Sequence, residues 1–176
     1  LKTDLSATES WLQKELGTIR TNRANPSILD SVRVEAYGSD MAISGVASMT
    51  NDDPRTIRIT PWDHSLIKSI EKSITVANLG VSVSVDDKGI KVSFPELTSD
   101  RRKEIVKMAK EKFEQARIQL RKHRDEINSD IDKKEKEGGM GEDEKFRFKA
   151  EAQKFIDEST KKLTDLMDKK EKEILS

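Results

Sequence analysis

Cysteine is absent from the 176 residues. That excludes disulfide frameworks, thiolate nucleophiles and cysteine metal sites, and it fits a cytosol-like compartment without demanding one. Histidine is nearly absent, with only His64 and His123. Neither has a second histidine at ligand spacing, so no zinc site is expected. No apolar run approaches the roughly 20 residues of a membrane span. The opening Leu1-Lys2-Thr3-Asp4 is no signal peptide, and the missing initiator methionine fits a trimmed or processed chain. Proline stands only at positions 26, 54, 61 and 95, and neither proline nor glycine falls between Ser99 and Glu137. Nothing there interrupts a long helix.

Recognised chemistry is also scarce. Asp63-His64-Ser65 has the letters of a nucleophilic triad, but sequence neighbours rarely converge that way, and a helix cap explains the aspartate better. Gly138-Gly139-Met140-Gly141 follows a helix and lacks the Gly-Lys-Ser/Thr ending of a phosphate loop, so it reads as a turn. Trp62 has the chemistry of a stacking platform, yet a half-buried anchor at a strand end accounts for it better. No enzyme is expected, and no cofactor.

What the chain has is charge and helix. Charged residues make up 38% and hydrophobic ones 34%, a balance that suits elongated helices better than one large round core. Residues 98–136 carry Ile105, Ala109, Phe113, Ala116, Leu120, Ile127 and Ile131 at steps of mostly three or four, the mark of one helical stripe. At about 1.5 Å per residue such a helix runs on the order of 57 Å, too long for burial in one small globule. Beside the apolar row lies a second one: Lys110, Arg117, Arg121 and Arg124.

The formal net charge of zero conceals that asymmetry. Residues 101–124 hold ten Lys/Arg against three Glu, whereas residues 31–100 hold seven against ten acidic residues, and 125–176 twelve against sixteen. A local basic stripe binds polyanions even on a neutral molecule. A solvated helix face is the alternative that charge alone leaves open.

Residues 2–24 read as the first helix, with Leu5, Leu12, Leu16 and Ile19 inward and Trp11 at the flank. Pro26 ends it, because the residue before a proline is pushed out of the helical region. Arg20 and Arg23, three apart, would share a face near its end, as dipole complements or as RNA contacts. Residues 27–97 are less charged and richer in β-branched side chains. Strands are expected over 32–37, 41–48, 55–60, 81–85 and 90–94, with turns at 38–40 and 86–89, a loop at 51–54, and a short helix over 66–74 capped by Asp63. After Pro95 the long helix starts, with Thr98 or Ser99 as N-cap. The glycines at 138–141 break it, and a third helix carries Phe148, Ala152, Phe155, Leu163, Leu166 and Ile174 on one stripe. Three amphipathic helices bury their stripes as a bundle, so residues 1–28 and 98–176 form the bundle and 29–97 an inserted α+β domain. The paired linkers around Asn25, Pro26, Ser31, Pro95 and Thr98 are expected to act as hinges.

One stretch is distinctive. Ile19-Arg20-Thr21-Asn22-Arg23-Ala24-Asn25-Pro26-Ser27-Ile28-Leu29-Asp30 closely resembles the end of the first helix in ribosome recycling factors. Arg101-Arg102-Lys103-Glu104, Glu114-Gln115-Ala116-Arg117 and Arg121-Lys122-His123-Arg124 resemble that family's long helix, and the order of elements fits along the whole chain. The resemblance implies an L-shaped α+β molecule: an elongated three-helix bundle with a small inserted β/α/β sandwich. It further implies a factor that binds the 70S ribosome after peptide release, against large-subunit RNA. With elongation factor G and that partner's GTP hydrolysis, it splits the subunits and frees mRNA and tRNA. A monomer is expected, and the lack of a targeting extension leans towards the bacterial cytoplasm without separating a bacterial from an organellar source. Arg121 and Arg124 match the family's RNA-contacting arginines, with Arg117, Lys110, Arg20 and Arg23 as further members of a basic cluster. Asp125 departs from the pattern, standing where many members carry another arginine. The competing reading from the residues alone is a coiled-coil adaptor that binds a protein. Steep loss of binding with salt separates phosphate contact from that alternative.

Overall fold

The computed structural model describes residues 2–176, which separate into two compact units. The first comprises the chain up to Leu16 and Val106–Lys172; the second comprises Gly17–Ile105 and Glu173–Ser176.

The first unit is a helical bundle. It holds nearly all of α1 (Lys2–Gly17) and most of α3 (Ser99–Lys136) and α4 (Glu142–Leu175). Its core follows the expected stripes in part. Phe113 and Ile127 of α3 and Phe148, Phe155 and Leu166 of α4 are only half-buried. Ile156 and Met167, one position on from Phe155 and Leu166, take the inward places in α4. Leu5, Leu12 and Leu16 come from α1, Ala109, Ala116, Leu120 and Ile131 from α3, and Ala152, Ile156, Leu163 and Met167 from α4. Alanines facing larger side chains let the helices approach closely. Polar bonds cross between them: Ser159 donates to Glu9 at 2.8 Å, and Lys112 pairs with Glu15 at 3.3 Å. Near the α3–α4 turn, Lys145 and Lys149 both reach Asp132, at 3.3 and 2.7 Å. Glycine at 138, with φ +79°, gives the left-handed residue that ends α3.

The second unit is α+β. Strands β1 (Arg33–Ala36) and β2 (Ser39–Ala42) form a hairpin. A four-stranded antiparallel sheet has the order β3-β4-β6-β5, from β3 (Ala47–Asp53), β4 (Thr56–Pro61), β5 (Ser82–Asp86) and β6 (Gly89–Ser93). Helix α2 (Ile67–Val76) packs on β1 and on β5 and β6, placing Ile70 and Ile74 in the core with Val34, Ile57, Ile59, Ile90 and Val92. The expected cap is present: Asp63 Oδ1 accepts the Ser65 backbone N–H at 3.0 Å and its hydroxyl at 2.7 Å, ahead of a single 3-10 turn that leads into α2. Thr98 Oγ1 accepts the Arg101 N–H at 3.1 Å and so caps α3.

Local expectations are corrected in four places. Helix α1 stops at Gly17, seven residues before the expected end at 24. Ser27 Oγ donates to the Gly17 carbonyl at 2.8 Å, supplying from outside the bond that a further turn of helix would have made. Ile19 is buried on the loop that follows, so its apolar character came from a core contact outside the helical stripe. The strand expected at 41–48 is broken by a 3-10 turn, Ile43–Gly45, which carries the chain from the small sheet to the large one. Residues 51–53, expected as loop, extend edge strand β3 through an irregularity between Asn51 and Asp53. The first hairpin turns at Tyr37 and Gly38, φ +53° and +79°, one residue earlier than expected.

Candidate nucleic-acid interface

Helix α3 presents the basic side chains beside its buried stripe. At about 100° per residue, Lys110, Arg117, Arg121 and Arg124 fall within a sector of roughly 60° and span about 21 Å of axis. All four lie in the first unit. Lys110 and Arg121 are exposed, while Arg117 and Arg124 are partly covered.

The covered pair is already engaged. Arg117 Nη1 lies 3.3 Å from Glu114 Oε2, and its guanidinium stands 5.7 Å from the centre of the Phe113 ring. Arg124 turns both Nε and Nη2 onto Asp125 Oδ1, at 3.2 Å each. Among the described residues, no carboxylate forms an ion pair with Arg121 or Lys110. The face therefore offers two cations without a carboxylate partner and two whose charge is partly offset by a neighbouring carboxylate. Guanidinium groups suit phosphate even so, because they stay charged and keep further donors in a fork.

A shallow groove runs alongside, lined by Ile118, Arg121, Lys122, Asp125 and Ser129 among others. Ile118 is 55% exposed, and its position off the apolar stripe was the only signal for it in the sequence. An apolar contact there adds to the basic row a feature that charge counting does not find.

Arg20 and Arg23 are placed elsewhere. With α1 ended at Gly17, they share no helix face, and both belong to the second unit. Arg20 donates to the Gly80 carbonyl at 2.9 Å and to the Pro95 carbonyl, with its guanidinium 5.6 Å from the Phe94 ring centre. Burial, then the positive charge of Arg101, holds its pKa below the usual arginine value. Arg23 is exposed, and its backbone N–H donates to Thr21 Oγ1 at 3.2 Å.

The candidate hinge residues also lie within the second unit. Asn25 is extended, φ −115° and ψ 123°, and caps the 3-10 turn Pro26–Leu29 through Oδ1 and the Ser27 N–H at 3.0 Å. Ser31 is exposed, Pro95 is exposed and accepts from Arg20, and Thr98 caps α3.

The family profile described as Ribosome recycling factor matches residues 12–175. The chain belongs to the ribosome recycling factor family. Curated relatives carry the name Ribosome-recycling factor. That of Symbiobacterium thermophilum is 44% identical over 163 residues, 93% of this chain and 88% of the relative. That of Bacillus licheniformis is 42% identical over 166 residues, 94% of this chain and 90% of the relative. A solution structure of a ribosome recycling factor superposes with a TM-score of 0.78 at 32% identity, covering 99% of this chain and 92% of the other. A second similar chain has a TM-score of 0.70 at 36% identity, covering 99% of this chain and 94% of its own. It belongs to models of the Thermus thermophilus ribosome recycling factor and the E. coli elongation factor G bound to the E. coli post-termination complex. The α+β fold with a helical bundle is thus that of the ribosome recycling factors. No described helix of this family member is long and apolar enough to cross a membrane.

Proposed function

We propose that this chain recycles ribosomes: it binds the post-termination ribosome and, with elongation factor G, promotes its separation into subunits, releasing mRNA and tRNA. It acts by binding and mechanical coupling in the cytoplasm, as a monomer and without a cofactor of its own, and GTP is hydrolysed by its partner. The three-helix part, residues 1–28 and 98–176, anchors on large-subunit RNA, and residues 29–97 form the hinged part on which the partner acts. The observation that carries the RNA contact is the row of Lys110, Arg117, Arg121 and Arg124 on one face of rigid α3. A helix fixes their spacing along about 21 Å. Contact with folded RNA then needs phosphate position and shape, with no base readout. Arg23 is an exposed cation that can add to the attraction. Arg20 serves the interior of its own unit first.

Co-sedimentation with 70S ribosomes across a salt series tests the assignment. Wild type is expected to bind and to lose affinity steeply as salt rises, because each neutralised phosphate releases counterions. Arg121→Ala/Arg124→Ala is expected to bind about tenfold or more weakly at moderate salt. Equal binding by both proteins overturns the choice of residues. Failure of wild type to bind at low salt overturns the ribosome reading and favours a protein-binding adaptor.

A further inference from the structure

The four-stranded sheet has two outer strands, and they are finished differently. Strand β3 is closed off. Its ladder is irregular between Asn51 and Asp53, it carries the charges of Asp52 and Asp53, and Asn51 Nδ2 donates to the Ala24 carbonyl at 2.7 Å. The Ala24 N–H in turn donates to the Pro54 carbonyl, also at 2.7 Å. Bulges, charges and a covering segment are the usual guards of a sheet edge. Residues 82–85 of β5 have none of them. The ladder with β6 is regular, and neither a charged residue nor a proline falls within 77–85. Among the described residues, no backbone group outside β6 bonds the backbone of β5. Every second residue of an antiparallel edge strand turns its N–H and C=O away from the sheet. In β5 those groups are left to solvent.

The side chains along this edge repeat. Val81-Ser82-Val83-Ser84-Val85 reads the same in both directions. Val81 and Val83 pack at the margin of the buried core, while Val85 is exposed. Val76, the last residue of α2, which packs on β5, is exposed as well. Uncharged alternation of valine and serine favours a strand and invites a further strand beside it. Its symmetry makes the segment complementary to itself. Laid antiparallel on a second copy and centred on Val83, each valine meets a valine and each serine a serine. Asp86 of one copy then faces Gly80 of the other, so the two Asp86 carboxylates lie at opposite ends of the contact. A parallel arrangement would set them against each other.

We propose that the β5 edge is a self-association surface: two copies of the free protein pair antiparallel through residues 81–86, joining two four-stranded sheets into one of eight strands. This goes beyond the recycling reading and does not depend on it. A strand of five residues makes a far smaller contact than the roughly 20–30 residues a side of a standard interface. The pair is therefore weak and reversible, with half-association on the order of 100 μM or above. At lower concentrations the protein is a single chain, the form in which it acts on the ribosome. None of Lys110, Arg117, Arg121 and Arg124 belongs to the paired edge.

Sedimentation equilibrium of the protein from about 10 μM to about 1 mM tests it. The weight-average mass is expected to rise from one chain toward two and to stop there. Ser82→Lys/Ser84→Lys sets like charges opposite one another across the pair and is expected to weaken association about tenfold or more. Ser82→Glu/Ser84→Glu is expected to do the same. Mixed in equal amounts, the two variants bring opposite charges together across the edge, and association is expected to return. That recovery excludes misfolding as the cause of the loss. Wild type that remains a single chain up to about 1 mM overturns the proposal, as does association that either variant alone retains. A mass that climbs past two chains shows open-ended aggregation in place of a closed pair and overturns it too. Variants that lose association singly and stay apart when mixed overturn the antiparallel register.

Discussion

Arg124 shows how one neighbour sets the value of a charged residue. Both of its bonding nitrogens converge on a single oxygen of Asp125, at 3.2 Å. An exposed pair of that kind contributes about 0.2–1 kcal/mol, so it is exchanged readily but not for nothing. Asp125→Asn keeps the shape and removes the competing charge. The variant is expected to bind ribosomes about two- to fivefold more tightly at low salt, with a salt dependence steeper by about one unit of slope. Binding isotherms at four or five salt concentrations measure both quantities. Unchanged affinity and slope would mean that Arg124 meets no phosphate. Arg20 makes the opposite point: the same functional group, set against Phe94 and two backbone carbonyls, is a structural pin. Residue type alone does not separate the two uses; surroundings do.

Among the elements, the β5–β6 hairpin is the most demanding of its sequence. Asp86 Oδ1 accepts the Lys88 N–H at 2.9 Å and a bond from Arg58 at 2.8 Å, which ties the turn to β4. The next turn residue, Gly89, has φ +130°, and a Cβ there would stand 2.4 Å from the Ile59 carbonyl oxygen. That oxygen belongs to the neighbouring strand, where Ile59 pairs with Ile90, so it cannot move aside without breaking the sheet. Gly89→Ala is expected to cost about 2–4 kcal/mol, from backbone strain together with the clash. Denaturant unfolding followed by circular dichroism measures it, and a loss below about 0.5 kcal/mol would mean that the turn relaxes freely. The helices are more forgiving. Their boundaries are set by caps, Thr98 for α3 and the glycines after Lys136, and their buried faces by a pattern repeated over many turns.

At the scale of the whole molecule, four aspartates link folding to acid pH. The Arg55 N–H holds Asp53 below the usual carboxylate range, the Ser65 hydroxyl does so for Asp63, the Arg58 guanidinium for Asp86 and the Lys149 ammonium for Asp132. Each folded pKa lies below its unfolded value of about 3.9. The stabilisation is therefore complete above that value and is lost as pH falls through the folded pKa values. Lys145 shifts upward, chiefly through Glu135 and then Asp132, so its contribution persists at neutral pH and is lost only as pH rises past its raised value. Thermal unfolding is expected at a nearly constant temperature from about pH 7 to 5, falling steadily below about pH 4. Three of the aspartates lie in the α+β unit and Asp132 in the bundle, so both are expected to weaken. An unfolding temperature that holds down to about pH 2.5 would contradict the assignment.

The helices, the buried residues shared by their stripes, the inserted α+β region and the family were legible in the linear chain. Periodicity is a local property, and a stripe such as Ile105, Ala109, Ala116 and Leu120 repeats often enough that no single contact can hide it. The cationic row was legible for the same reason: its spacing follows from the helix. Decisions that depend on distant partners were not legible. Nothing local distinguishes Ile19 on a helix from Ile19 in a loop, because the bond from Ser27 that replaces the next turn of α1 comes from ten residues ahead. Arg20 and Asn22 read as a helix end, yet Pro95, Leu97, Gly80 and Ser176, all more than fifty residues away, determine what they do. Pattern propagates along a chain, whereas the satisfaction of a particular buried donor or acceptor is settled only when remote segments meet.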